Sequence, residues 1–156
     1  MDFDQLLKML SALHIERVEY ILVGGVALGL HGLIRATEGV DLFVNDDADN
    51  IERLRRALRS VWDDADIDQI TSSDLAGEYP VIRYGPPDGG FAIDIMTRLG
   101  TRATYHDLAW QEIDVEGVKA RVATAQTLYD LKRDTVRPID RADADALRKR
   151  FNLQDD

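Results

Sequence analysis

Residues 21–44, ILVGGVALGLHGLIRATEGVDLFV, carry a carboxylate, Asp41, inside an apolar run one short helical segment after a glycine pair. An ionised group in such a run costs free energy unless something pairs with it, so the strand must meet a partner, a ligand or water there. Ile21, Leu22 and Val23 are apolar and largely β-branched, as a buried strand requires, and Gly24-Gly25 ends the run where the chain must turn tightly. Residues 26–31 then read as a helix whose N-terminal amides open onto the glycines. Unpaired amides at a positive helix end make a ready place for a phosphate. A second strand-borne carboxylate, Asp94, lies in FAIDIM at 91–96. If the two strands are neighbours, both carboxylates can converge on a divalent cation that takes oxygen ligands.

The rest of the chain reads as support for that unit. Leu6, Leu7, Leu10 and Leu13 recur at helical spacing over residues 4–15, with Asp2 or Asp4 as the cap. Residues 49–61 form a second amphipathic helix with Arg53, Arg55, Arg56 and Arg59 on its polar side, which reads as a solvated face rather than a nucleic-acid surface. The acidic run 63–68 lacks the glycine and closing glutamate of an EF-hand and is expected to be a loop. Residues 79–84 and 91–97 flank the turn signal GPPDGG and make an antiparallel hairpin. Residues 101–110 read as helical. Residues 112–115 and 118–122 form a small hairpin about Glu116-Gly117. Thr124 caps a helix from 125 to about 134, and Pro138 precedes a last helix over 139–151. These elements predict one α+β domain over 1–156, a mixed β-sheet flanked by helices with two C-terminal helices.

Composition narrows the chemistry further. With 156 residues the chain can bury a real core, and the absence of cysteine excludes disulfides, thiolate metal sites and a cysteine nucleophile. A net charge of −10 argues against broad electrostatic adhesion to nucleic acid, although an RNA substrate stays open if arginines gather on one face. No apolar run reaches the length of a membrane span and the acidic start is unlike a signal peptide, so no membrane association and a cytoplasmic location are expected.

Taken together, these features resemble the nucleotidyltransferases of the DNA polymerase β superfamily. More narrowly they are similar to small bacterial nucleotidyltransferases of the abortive-infection, type IV toxin-antitoxin group. The matching residues are Gly24-Gly25, His31-Gly32, Arg35, Thr37, Asp41 and Asp94, followed by Lys132, Arg137-Pro138, Asp140 and Asp143. The resemblance covers roughly residues 5–147. It implies a nucleotidyltransferase fold and transfer of a nucleoside monophosphate from a nucleoside triphosphate to a hydroxyl acceptor, with Mg2+ or Mn2+. Asp41 and Asp94 would hold metal, with Lys132 as the third catalytic residue. Gly24, Gly25, Arg35, Thr37 and Lys132 would bind the nucleotide. The acceptor would be RNA such as a tRNA end, a protein or a small molecule, and an antitoxin is an implied partner.

One position departs. Gly39 stands where the group has the first aspartate of its pair. Residues two apart on a strand share a face, so Glu38, one residue off, points to the other side. Two-metal phosphoryl transfer uses three carboxylates to hold two cations. Losing one predicts weaker cation binding and a rate loss of several orders of magnitude, on the order of 4 kcal/mol of electrostatic stabilisation. The alternative is an inactive nucleotide-binding or partner-binding module. For several residues two readings stand side by side. Arg35 steers phosphate or pairs with Asp41; Thr37 binds nucleotide or caps the loop. Lys132 reaches the triphosphate or is a surface lysine paired with Asp130 or Asp134. Asp140 and Asp143 share a helix face and are expected to orient Lys132. His31 is read as structural.

Overall fold

The computed structural model describes residues 2–33, 37, 39–76, 80–87, 90–99, 103–133 and 138–153, with the side chains of residues 99, 138 and 139 excepted. The elements run α1 (Phe3–Ile15), β1 (Tyr20–Val23), α2 (Gly24–Leu30), β2 (Gly39–Val44), α3 (Ala48–Val61), β3 (Val81–Tyr84) and β4 (Ala92–Met96). They continue through β5 (Arg98–Leu99), β6 (Ala103–Thr104), β7 (Trp110–Val115), β8 (Val118–Ala123), α4 (Ala125–Lys132) and α5 (Pro138–Phe151). Asp2 caps α1 by accepting from the Gln5 amide at 3.1 Å, and Thr124 caps α4 by accepting from the Thr127 amide at 3.1 Å.

Six strands form one mixed sheet in the order β3-β4-β2-β1-β8-β7, and β5 and β6 make a separate two-stranded ribbon. β1 is antiparallel to β2, β2 parallel to β4, and β3 antiparallel to β4. Side chains alternate across a strand, so register partners share a face. One face therefore collects Tyr20, Leu22, Leu42, Val44, Ile93 and Ile95, all buried. At roughly 1.5–3 kcal/mol for each large apolar side chain removed from water, this face anchors the fold. α1 and α3 pack on each other, burying Leu6, Met9, Leu10 and Leu13 of α1 and Ile51, Leu54 and Leu58 of α3. Fully buried Asn50 ties α3 to the sheet: its Oδ1 accepts from the Glu19 amide at 2.7 Å, and its Nδ2 donates to the carbonyls of Glu19 at 3.0 Å and Asn45 at 2.8 Å.

The structure is the α+β architecture expected, a mixed sheet flanked by helices with two helices at the C-terminal end. Three local readings change. Helix α2 starts at Gly24 rather than Val26, so the glycine pair forms its first turn. Residues 103–110 are not helical: β6 pairs with β5, a 3-10 turn follows at Tyr105–Asp107, and Trp110 already opens β7. Thr104 and Asp107 bond one another's backbone in a capping box there, and a single turn is all that this local bonding supports. The acidic segment is a 3-10 helix at Ala65–Gln69, with Asp64 accepting from the Asp66 amide at 3.1 Å and the Tyr84 hydroxyl at 2.8 Å. The β7–β8 hairpin turns on Glu116 and Gly117, both at positive φ, as a two-residue hairpin loop requires. It does not stand apart, because β8 lies parallel to β1 with Leu22 beside Val122.

Candidate active site

The second face of the sheet is less completely covered at one place, and the strand-borne aspartates lie there. β2 and β4 put Asp41 directly beside Asp94 as register partners, with Gly39 beside Ala92 two residues earlier on the same face. Both aspartates are partly exposed, whereas Val40 and Leu42 on either side of Asp41, and Ile93 and Ile95 on either side of Asp94, are fully buried. The strand parity therefore resolves how a charge survives in each apolar run: the neighbours build the core and the carboxylates face outward from it.

Helix α2 lies against β1 and β2 and closes one side of this face. Gly24 holds a φ of +71°, and a Cβ at that position would come 2.0 Å from Asp41 Oδ2. Gly24 and Asp41 are thus in direct contact, and only the missing side chain allows it. Val23, the residue before α2, supplies no side-chain cap to the first-turn amides. Burial pushes the Asp41 carboxyl up to about 6, helped by the charge of Asp94 beside it and a hydrogen bond between the two carboxyls, and opposed by Lys132 and Arg83.

Arg83 belongs to this group although no motif pointed to it. It is the register partner of Asp94 across the β3–β4 hairpin, with Nε 2.9 Å from Oδ1 and one terminal nitrogen 3.1 Å from Oδ2. The antiparallel hairpin was legible in the sequence, but its register was not, and a slip of one residue would have put Arg83 on the other face.

Lys132, at the end of α4, is largely buried, with its side chain 15% exposed. Its Nζ lies 3.0 Å from Asp140 Oδ1 and 3.2 Å from Asp143 Oδ2, both on α5. The two aspartates share one helix face and hold the lysine, as the spacing anticipated. Lys132 is not a surface residue, and among the described residues its carboxylate partners are Asp140 and Asp143 rather than Asp130. Asp130 instead accepts from Gln126 Nε2 at 3.0 Å and lies 3.7 Å from Arg133, and Asp134 is outside the described residues.

The Thr37 hydroxyl donates to the Gly39 carbonyl at 2.8 Å and accepts from the Gly39 amide at 3.4 Å, which closes the approach to β2. A Cβ at Gly39 would come 3.2 Å from the Ala92 carbonyl oxygen, so a side chain here requires β4 to give by a few tenths of an ångström. Arg35, Glu38 and Arg137 lie outside the described residues. His31 is structural: Nε2 lies 2.8 Å from the Ala123 carbonyl oxygen, and its ring meets Phe151 edge to face. The α3 arginines face acids or backbone, Arg55 with Glu52, Arg56 with Glu16 and Arg59 with Asp68. That pairing suits a solvated face, not a surface for nucleic acid.

A divalent cation is the group this fold implies, and the donor set sets a limit on it. Among the described residues no cluster of three or more histidine or acidic side chains is positioned to hold a metal ion. Two adjacent carboxylates suit one Mg2+ or Mn2+, a hard cation that takes oxygen ligands and keeps several waters. They do not suit two cations, and Gly39 is the place on the same face from which a third carboxylate would reach them.

No family model matches the chain, and no curated protein matches it. Solved structures do. A candidate nucleotidyltransferase from Thermotoga maritima superposes with a TM-score of 0.57 at 15% identity, over 96% of this chain and 91% of that one. ANT(2")-Ia in complex with adenylyl-2"-tobramycin gives 0.56 at 14% identity, over 92% of this chain and 86% of the other. An antigenic nucleotidyltransferase-like protein from Paracoccidioides brasiliensis gives 0.54 at 18%, over 90% and 74%. Identities this low speak to architecture alone, and the architecture of this chain is the nucleotidyltransferase fold.

Proposed function

We propose that this protein binds a nucleoside triphosphate with Mg2+ or Mn2+ and transfers the nucleoside monophosphate to a hydroxyl acceptor, slowly because Gly39 leaves one carboxylate out. The observation that carries this reading is the convergence of Asp41 and Asp94 on one face, in contact with Gly24 at the start of α2, with Lys132 near enough to oppose the rise of Asp41. In the reaction the acceptor hydroxyl oxygen bonds the α-phosphorus and gives up its proton to solvent, the bond to the bridging oxygen breaks, and pyrophosphate leaves with its electron pair. A bound cation would supply charge neutralisation at the phosphates. Asp41 and Asp94 would hold it. Gly24 and Gly25 let the backbone approach the phosphates closely, Lys132 adds a fixed positive charge, and Thr37 keeps the loop before β2 closed. Arg35 is proposed to steer phosphate.

The acceptor classes that this reading covers are RNA, a protein side chain and a small molecule. ANT(2")-Ia, which shares the fold, was solved with an adenylylated tobramycin, and this supports the small-molecule class by analogy. A place among toxin-antitoxin nucleotidyltransferases, with an antitoxin partner, rests on the motif residues quoted from the sequence. The second reading, a nucleotide-binding or partner-binding module without turnover, is favoured by one specific observation. The position two residues before Asp41 on the same face is a glycine and supplies no third carboxylate beside Asp41 and Asp94.

The test compares the protein with its Gly39→Asp form in magnesium and triphosphate titrations, followed by incubation of both with labelled triphosphates and total cellular RNA or protein. Restoring the carboxylate is expected to tighten cation binding and raise label transfer. If neither changes, the catalytic reading fails. Triphosphate binding without transfer in both forms supports the binding module.

A further inference from the structure

Arg83 is the one charged group at the site that no motif of the sequence accounts for. Its guanidinium engages both oxygens of Asp94, the fork-on-fork geometry that neutralises a carboxylate most completely. A divalent cation needs the same carboxylate with its charge available. Asp94 therefore has two candidate counter-ions, one built into the chain and one from solution.

The two differ in how firmly they are held. The Arg83 side chain is 73% exposed, while Asp94 is 23% exposed. Among the described residues the guanidinium bonds Asp94 and no other group. β3 is the edge strand of the sheet, and among the described residues no strand pairs with its far side. An ion pair this open to water is weak, and its long side chain gains rotamer freedom on leaving. Asp94 cannot follow it, because its strand is buried on the opposite face through Ile93 and Ile95.

We propose that Arg83 is a displaceable internal counter-ion that occupies Asp94 until a divalent cation takes its place, so that cation binding and Arg83 release are a single exchange. This rests on the proposed reading of Asp41 and Asp94 as the cation ligands. Its consequence is a site that is electrostatically quiet without cation and pays a small toll to load. The two carboxylates lie side by side on neighbouring strands, and without an internal cation their repulsion would bear on the sheet itself.

The experiment is Mn2+ binding to the full chain, followed by the loss of the free-ion electron paramagnetic resonance signal at low ionic strength, with no nucleotide present. Wild type is compared with Arg83→Gln, Arg83→Lys and Asp94→Asn. Arg83→Gln is expected to bind Mn2+ about fivefold more tightly, the range of a solvent-exposed ion pair. Arg83→Lys, which keeps the charge but not the fork, is expected between the two, and Asp94→Asn below wild type. Unchanged or weaker binding by Arg83→Gln, with Asp94→Asn still impaired, overturns the exchange and leaves the cation site standing. Failure of both wild type and Arg83→Gln to bind Mn2+ at millimolar concentration removes the cation site itself, and the exchange with it. Arg83 lies on the exposed side of an edge strand, so its variants are expected to melt cooperatively like wild type.

Discussion

The contact between Gly24 and Asp41 can be tested by putting back the atom that the structure leaves out. Alanine at position 24 meets two separate costs. The backbone there sits at a φ of +71°, which an L side chain resists by about 1–2 kcal/mol. The new Cβ would also lie 2.0 Å from Asp41 Oδ2, 2.9 Å from its Cγ and 3.2 Å from its Cβ. Rotating the carboxylate alone does not clear the root of the side chain, so either β2 or α2 must shift, at the roughly 1–3 kcal/mol typical of overpacking. Gly24→Ala should therefore lose about 2–5 kcal/mol. The two costs separate in a double-mutant cycle with Asp41→Ala, measured by urea denaturation. In the Asp41→Ala background the two closest clashes are gone, so the backbone cost of about 1–2 kcal/mol persists with only the 3.2 Å contact to the remaining Cβ beside it, leaving a coupling of up to roughly 1–3 kcal/mol. Equal losses in both backgrounds, or a loss below about 1 kcal/mol in wild type, would refute the placement of Gly24 over the carboxylate.

Two further perturbations probe the same site. Asp41 has its carboxyl raised to about 6 from an ordinary 3.8, chiefly by burial and by Asp94, so between those values the native state binds more protons than the unfolded chain. Stability should then fall as pH rises from about 4 to about 6 and stay lower above it. Asp41→Asn removes this penalty, so without divalent cations its advantage should be absent below pH 4 and reach roughly 1–2 kcal/mol at pH 8, a figure reduced for the partial exposure of the group. An advantage that does not vary with pH, in denaturation curves at pH 4, 6 and 8, would contradict the assignment. Lys132→Met leaves Asp140 and Asp143 facing each other without the cation between them, and should cost about 2–4 kcal/mol in the same assay. Adding Asp140→Asn and Asp143→Asn to Lys132→Met should recover part of that loss; no recovery would mean that the lysine stabilises through its packing.

What was legible in the sequence is what local chemistry controls. Helical spacing in α1 and α3, the cap at Thr124, the Glu116-Gly117 turn and the alternation around Asp41 and Asp94 each depend on residues a few positions apart. The same holds for the expectation that Asp140 and Asp143 hold Lys132, because a spacing of three on a helix puts both on one face. Residues 103–110 depart from the expected helix for a reason of the same kind. They have no strong period, and their conformation is set by the pairing of β6 with β5 and by the one-turn bonding of Thr104 with Asp107.

The sequence by itself determined that two carboxylates must emerge from buried strands and that a glycine pair ends the first strand; its resemblance to nucleotidyltransferases added the expectation of a third carboxylate at the position of Gly39. Only the tertiary structure decided that Asp41 and Asp94 are side by side, that Gly24 rests against one of them, and that Arg83 neutralises the other. Those outcomes depend on strand order and register, which join residues 11 to 53 positions apart through backbone hydrogen bonds that carry no side-chain signature. Periodicity tells each strand which face to bury. The pairing of strands decides which charges then meet on the face left open.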